Sequence, residues 1–250
     1  MPAIRPENWE KVYESIVRST KRKFELIIGS PYDLPASLSR YKNIKTVKDW
    51  GSPIRANQIA TMLAEGKYLF PTLSDDSLFI EGAIDENLNL LESLGNSHKN
   101  VVVAKYSESS NYAFPTRYQD DEYYKLSSAY QTNTQFVNKD WWIYNTVFFH
   151  ASYFFEMGGF DCSFQSCPYS FADLAIRCQH DGANTVMSNH PIIMCDHGQS
   201  DHRPIEISQV YEDAPIFRSR YSKPINGSAV KLDIMNWKNS PSVWKHRFNE

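Results

Sequence analysis

Two adjacent acids, Asp75 and Asp76, follow an apolar stretch that ends at Leu73. Neighbouring carboxylates repel each other unless a cation lies between them or water covers them. Their hard oxygens suit Mg2+ or Mn2+, above all when a diphosphate completes the shell. The plain alternative is an acidic turn that caps the next helix. Asp196-His197 and Asp201-His202 set a carboxylate beside an imidazole, a pair that could complete a metal shell, touch a phosphate or belong to a solvated loop. The paired glycines of Gly158-Gly159-Phe160-Asp161 let a backbone come close to a ligand, and Asp173 on the following helix could take a proton. Read plainly, the same residues are a helix cap and a surface pair of Asp173 with Arg177. Arg55, one turn into a helix, could reach a base or a phosphate, or stand in solvent.

Periodicity shows the elements that must hold these residues. Trp9, Val12, Tyr13, Ile16 and Val17 form one apolar stripe, which predicts a helix over 7–18 with Pro6 in its first turn. Strands are expected at 24–29 and 43–47. Ser52-Pro53 opens a helix that Gly66 closes, with Ile59, Met62 and Leu63 inward. A strand over 67–73 ends in the acidic turn. A helix through Ile84, Leu88 and Leu91 stops at Gly95, and a β-branched strand follows at 101–106. This alternation predicts an α/β fold, a Rossmann-like and mostly parallel sheet flanked by helices. Ligands of such sheets sit at the carboxyl ends of the strands, here Ser30–Asp33 and Ser74–Ser77. From 107 to 139 the periodicity fails and tyrosines gather (Tyr112, Tyr118, Tyr123, Tyr124, Tyr130). A strand over 141–150, a short helix to 156 or 157, a helix over 171–180 and short strands at 185–187 and 192–195 follow. Phe171, Leu174, Ala175 and Cys178 are expected inward. After Gly198 the pattern predicts a loop and a tail.

The chain has 250 residues, enough for one large domain or two small ones. With 42% hydrophobic and 22% charged residues it is not a disordered chain. Lys and Arg number 26 against 29 Asp and Glu, a net charge of -3, so no basic excess draws it to a nucleic acid. No apolar run reaches the ~18–20 residues of a membrane span, and Met1-Pro2-Ala3-Ile4-Arg5-Pro6 carries no apolar leader core. The expectation is a cytoplasmic protein of a cell or virus host. Cys162, Cys167, Cys178 and Cys195 form no Cys-x-x-Cys pair and read as reduced thiols; a zinc site with His180 or His197 matches no familiar spacing.

Several segments stand in a telling order. They are Pro2-Ala3-Ile4-Arg5-Pro6-Glu7 before the first helix, Phe24-Glu25-Leu26-Ile27-Ile28, Gly51-Ser52-Pro53-Ile54-Arg55-Ala56-Asn57 and Ala64-Glu65-Gly66-Lys67-Tyr68-Leu69. Ser74-Asp75-Asp76-Ser77, Gly158-Gly159-Phe160-Asp161 and Asp173-Leu174-Ala175-Ile176-Arg177 come next. In this order the chain resembles glycosyltransferase family 2 enzymes of GT-A fold, over residues 2–198. The wording around Trp9 and Asp173 also resembles glycosyltransferase domains of large algal viruses. The resemblance divides residues 1–198 into a nucleotide-sugar half, 1–106, and an acceptor and catalytic half, 107–198, with 199–250 as an extension packed on them.

It implies a metal-dependent, inverting transferase, moving a hexose or deoxyhexose from a nucleoside diphosphate, most often UDP, to a glycan hydroxyl. Pro2, Ala3, Arg5, Asp33, Arg55 and Asp75 would surround the nucleotide. Asp76, with His197, would hold Mn2+ or Mg2+. Gly159 and Asp161 would face the sugar or acceptor, and the tyrosine-rich segment would pack on sugar rings. Two departures stand out. Only Met1 precedes Pro2, where that family has a full apolar strand. Phe171 stands where its base is common, so the base here is Asp173, or Asp161, or the chain is a nucleotide-sugar-binding or assembly module without turnover.

Overall fold

The computed structural model describes residues 1–109, 120–126, 138, 140–196, 203–223 and 225–248. Helix α1 (Trp9–Ser19) follows a 3-10 turn at Pro6–Asn8, and strands β1 (Leu26–Ser30) and β2 (Ile44–Lys48) come next. Then come α2 (Pro53–Met62), β3 (Tyr68–Leu69), β4 (Ser77–Phe79), α3 (Ala83–Ser93), β5 (Asn100–Val103) and β6 (Tyr106–Ser109). The second half supplies β7 (Val147–His150), α4 (Ala151–Glu156), α5 (Cys167–His180), β8 (Asn184–Met187) and β9 (Ile193–Asp196). Helices α6 (Arg203–Ser208) and α7 (Ala214–Arg220) close the list, joined through a π turn at Gln209–Asp213.

Local chemistry explains most of these boundaries. Trp9, Val12, Tyr13 and Ile16 bury the α1 stripe, while Val17 turns outward. Ser52 caps α2 by accepting from the Arg55 amide at 3.3 Å, and Pro53 fills the first turn. The expected inner face of α2 is corrected. Ile54, Arg55, Asn57, Gln58, Ala60 and Thr61 are buried, and Leu63 is 44% exposed. The helix packs through Ile54 on the core and through polar side chains on backbone carbonyls: Asn57 donates to that of Pro71 at 2.6 Å, and Gln58 to those of Gly158 and Ile234 at 3.2 and 3.0 Å.

The strand expected over 67–73 shrinks to β3, because Pro71 offers no N–H to a ladder. The strand expected over 101–106 is two strands, β5 and β6, which enter different sheets. The tail expected after Gly198 holds α6, the π turn and α7, with Pro204, Ser208, Asp213, Ala214 and Phe217 buried. Their anchor is polar. Asp213 accepts from the amides of Gln165 and Ser166 at 2.9 and 2.7 Å and from the Ser166 hydroxyl.

Three open sheets result among the described residues, β1-β2, β3-β7-β5-β8 and β4-β9-β6. Pairs β1–β2, β5–β8 and β6–β9 are parallel. Pairs β3–β7, β5–β7 and β4–β9 are antiparallel. The expected α/β class, open sheets flanked by helices, is the fold observed, with a mixed strand direction. Its core runs from Val101–Val103 through aromatic rings packed edge-on or tilted; Phe149, Phe154, Phe160 and Phe171 lie 5.3–5.5 Å from ring to ring in that order. No helix among the described residues is long and apolar enough to cross a membrane.

Candidate active site

Asp75 is 1% exposed, and its carboxylate is filled by the start of the chain. Oδ2 accepts from the amides of Ile4 and Arg5, both at 2.7 Å, and from Trp9 Nε1 at 3.4 Å. Oδ1 accepts from Arg5 Nε at 2.9 Å and also pairs with Nη2. Ala3 donates to the Gly29 carbonyl at 3.0 Å, so Pro2 and Ala3 lie beside the carboxyl end of β1. The sequence-expected Pro2, Ala3, Arg5 and Asp75 therefore meet at one sheet edge. Asp75 serves there as the anchor of the segment.

Asp76 is 6% exposed. Its Oδ1 accepts from the Ser74 hydroxyl, and its Oδ2 lies 3.3 Å from the Arg5 guanidinium. The β4–β9 register continues past Ser77 and Cys195, and the Asp196 amide donates to the Asp76 carbonyl at 2.9 Å. Asp76 and Asp196, from distant parts of the chain, are thus backbone partners where the two strands meet. His197, Asp201 and His202 lie outside the described residues, as do Tyr112, Tyr118 and Tyr130. Among the described residues no group of three or more His, Cys, Asp or Glu is placed to hold a metal. The four cysteines are free thiols.

Asp33 and Arg55 stand apart from this corner. The Asp33 side chain is 95% exposed and pairs with Lys48 at 2.7 Å. Arg55 is buried and spends its donors inside the protein. It pairs with Asp49 at 2.9 Å and donates to the carbonyls of Trp237 and Ser240 at 2.5 and 3.2 Å, under the Trp237 ring. Burial pushes the Asp49 carboxyl up in spite of that guanidinium. Arg55 is thus neither solvated nor open to a nucleotide: it clamps residues 237–240 onto α2.

Gly158-Gly159 is also a junction within the protein. Both glycines have positive φ, 79° and 67°. A Cβ on Gly158 would lie 2.1 Å from the Leu232 carbonyl oxygen, and one on Gly159 would lie 2.4 Å from Gln58 Oε1. Arg177 donates to the carbonyls of Met157 and Gly159 at 2.9 and 2.7 Å. Its Nε reaches Asp173 Oδ2 at 2.7 Å. Asp173 Oδ1 accepts from Arg220 Nη1 and the Tyr221 hydroxyl, both at 2.7 Å. The same Nη1 reaches Asp161 Oδ2 at 2.6 Å, while Asp161 Oδ1 accepts from the Ser163 amide at 2.8 Å.

A general base needs a lone pair aimed at the hydroxyl it serves. The oxygens of Asp173 and Asp161 are instead turned to these donors, and the two acids form a clasp that closes α7 on α5. Burial raises the Asp161 pKa, but Ser163 and Arg220 outweigh it and hold the group below its ordinary value. Arg220 and Tyr221 escaped the reading of the sequence, which saw a tail there. The signal was the pair Phe217 and Tyr221, four residues apart, whose rings pack at 4.8 Å.

No family model matches the chain, and no curated protein matches it in sequence. Among solved structures it is similar to GalNAc-T7 crystallised with UDP, GalNAc and Mn2+, at a TM-score of 0.51 and 11% identity. The match covers 86% of this chain and 52% of that one. The fold is of the GT-A type. The chain spans about half the length of that protein, and a likeness at this identity concerns the fold alone.

Two results follow for the acids of this GT-A fold. Asp75→Asn is expected to cost about 3 kcal/mol of stability by urea unfolding, because it strands a guanidinium and two amides; Asp76→Asn should cost clearly less. The low pKa of Asp161 contributes stability that is complete above the ordinary carboxylate value and lost as pH falls through the folded value. The gap in unfolding free energy between the native chain and Asp161→Asn should therefore be flat above pH ~5 and shrink below pH ~4.

Proposed function

We propose that the protein transfers a sugar from a nucleoside diphosphate, UDP foremost, to a glycan hydroxyl. One observation carries this reading: in a GT-A fold, the acidic turn and the Pro2–Arg5 segment are tied together at the carboxyl edge of the strands. That edge is where α/β sheets take ligands. In this reading Pro2, Ala3 and Arg5 line the nucleotide, and Asp75 keeps them in place. The motif order adds the family 2 assignment and the likeness to algal-virus domains.

The donor set fits a hard divalent cation in one respect. Asp76 and Asp196 offer carboxylates from adjoining strand ends, and Mg2+ is commonly held by one or two carboxylates plus substrate phosphates. Mn2+ or Mg2+ would be held by Asp76 and Asp196, with His197 next in the chain. Asp75 is outside that shell, since donors from the amino-terminal segment fill it; Asp76 would exchange the Ser74 hydroxyl and Arg5 for the cation. When bound, the cation would neutralise charge on the departing diphosphate.

An inverting transfer also asks for a base, and Asp173 fills that role only after Arg220 and Tyr221 leave it. That lock favours a second reading, a nucleotide-sugar-binding module without turnover. The two readings differ in a direct assay. Under the first, UDP with Mn2+ raises the melting temperature, by about 2.7 kcal/mol of linkage at ~100 times Kd. UDP is then slowly released from a UDP-sugar, and Asp76→Ala abolishes both effects. Under the second, the melting shift is present and the release absent. A panel of sugar nucleotides that leaves the melting temperature unmoved would overturn both.

A further inference from the structure

At the acidic turn two carboxylates share one guanidinium, and they share it unevenly. Arg5 gives Asp75 Oδ1 both its Nε, at 2.9 Å, and its Nη2. The same Nη2 lies 3.3 Å from Asp76 Oδ2. Charge-assisted N–H···O bonds run about 2.7–2.9 Å, so the Asp76 contact is the weakest of these three. The Asp75 and Asp76 side chains are buried, whereas that of Arg5 is 18% exposed. The side of the corner that a ligand can reach therefore includes the guanidinium.

That asymmetry decides which contact can give. Asp75 alone neutralises Arg5 when Asp76 is taken from it, so no charge is stranded. The backbone need not move either. The amides of Ile4 and Arg5 stay on Asp75 Oδ2 at 2.7 Å, and Ala3 stays on the Gly29 carbonyl at 3.0 Å. Asp76 Oδ2, by contrast, cannot serve the guanidinium and a divalent cation together, because two positive charges on one oxygen repel. A nucleoside diphosphate changes that balance. Its oxygens accept from a guanidinium and also complete the shell of a hard cation.

We propose that Arg5 is a switching arm that makes cation binding and nucleotide binding depend on each other. Without nucleotide, its Nη2 covers Asp76 Oδ2 and opposes a cation there. With nucleotide, the guanidinium stays tethered to Asp75 through Nε and turns Nη2 from Asp76 to the diphosphate. The freed Asp76 oxygen is then available to the cation. The inference rests on the transferase reading of Asp76 and adds a positioning residue to it, since Arg5 acts on the cation through a carboxylate. A group that opposes one ligand only while the other is absent contributes a coupling free energy between them.

The test titrates Mn2+ into the full chain, with and without UDP, and reads the free ion from its paramagnetic resonance signal. Compared with the native chain, Arg5→Gln should bind Mn2+ alone about tenfold more tightly, and the tightening that UDP brings should shrink by about the same factor. Arg5→Lys keeps a positive charge beside Asp76 and should stay close to the native chain. A second measurement needs no stable glutamine variant. In the native chain the Arg5 guanidinium nitrogen resonances, assigned by their loss in Arg5→Lys, should shift when UDP and Mg2+ are added together. Arg5→Gln that binds Mn2+ alone no more tightly than the native chain, or Arg5 resonances that stay in place, overturns the proposal and leaves the transferase reading standing. Native and variant chains that bind no Mn2+, with UDP or without it, overturn the cation reading of Asp76 and this proposal with it.

Discussion

The geometry of the candidate site depends on one carboxylate. Asp75 is buried, and it accepts two backbone amides, an indole N–H and a guanidinium from the first nine residues. A charged group so placed is tolerable only because donors surround it. The cost of leaving it unsatisfied holds the amino-terminal segment on the edge of the sheet. Arg5 is drawn in by the same charge and then reaches Asp76. The corner that resembles a ligand site is thus first a piece of structural electrostatics, and any ligand must fit around it.

A second buried network works the same way at the other end of α5. Arg177 joins Asp173 to the Gly158-Gly159 turn, and Arg220 joins Asp173 to Asp161. Gln58, Asn236 and the two glycines bring the segment 232–236 against α2. Charged and amide side chains thus join buried rings such as Phe217, Tyr221 and Trp244 in holding the last part of the chain on the fold. The tyrosine cluster is similar in kind. Tyr124 accepts from the Tyr106 amide at 2.8 Å and donates to its carbonyl at 3.0 Å, which makes it a support for β6.

These networks separate two meanings of an acidic residue at a strand end. Asp76, which accepts from the Ser74 hydroxyl and pairs with Arg5, is the backbone partner of Asp196 where β4 begins and β9 ends. Asp75, Asp161 and Asp173 hold protein groups. The candidate residues divide by which protein groups occupy their oxygens.

By itself the sequence determined the α1 stripe from Trp9 to Ile16, the Ser52-Pro53 start of α2, the inward face of α5 from Phe171 to Cys178, and the α/β class. Each rests on local periodicity or capping chemistry, which neighbours along the chain suffice to dictate. The ordered motifs also pointed to the meeting of Pro2, Ala3, Arg5 and Asp75. Only tertiary structure decided that Asp75 anchors rather than binds, that Arg55 clamps residues 237–240, that Asp173 is locked by Arg220, and that Asp196 stands next to Asp76. The partners in those contacts lie between 47 and 185 positions apart. A carboxylate's neighbours across such distances are set by how helices and strands pack, and no pattern of nearby residues reports them.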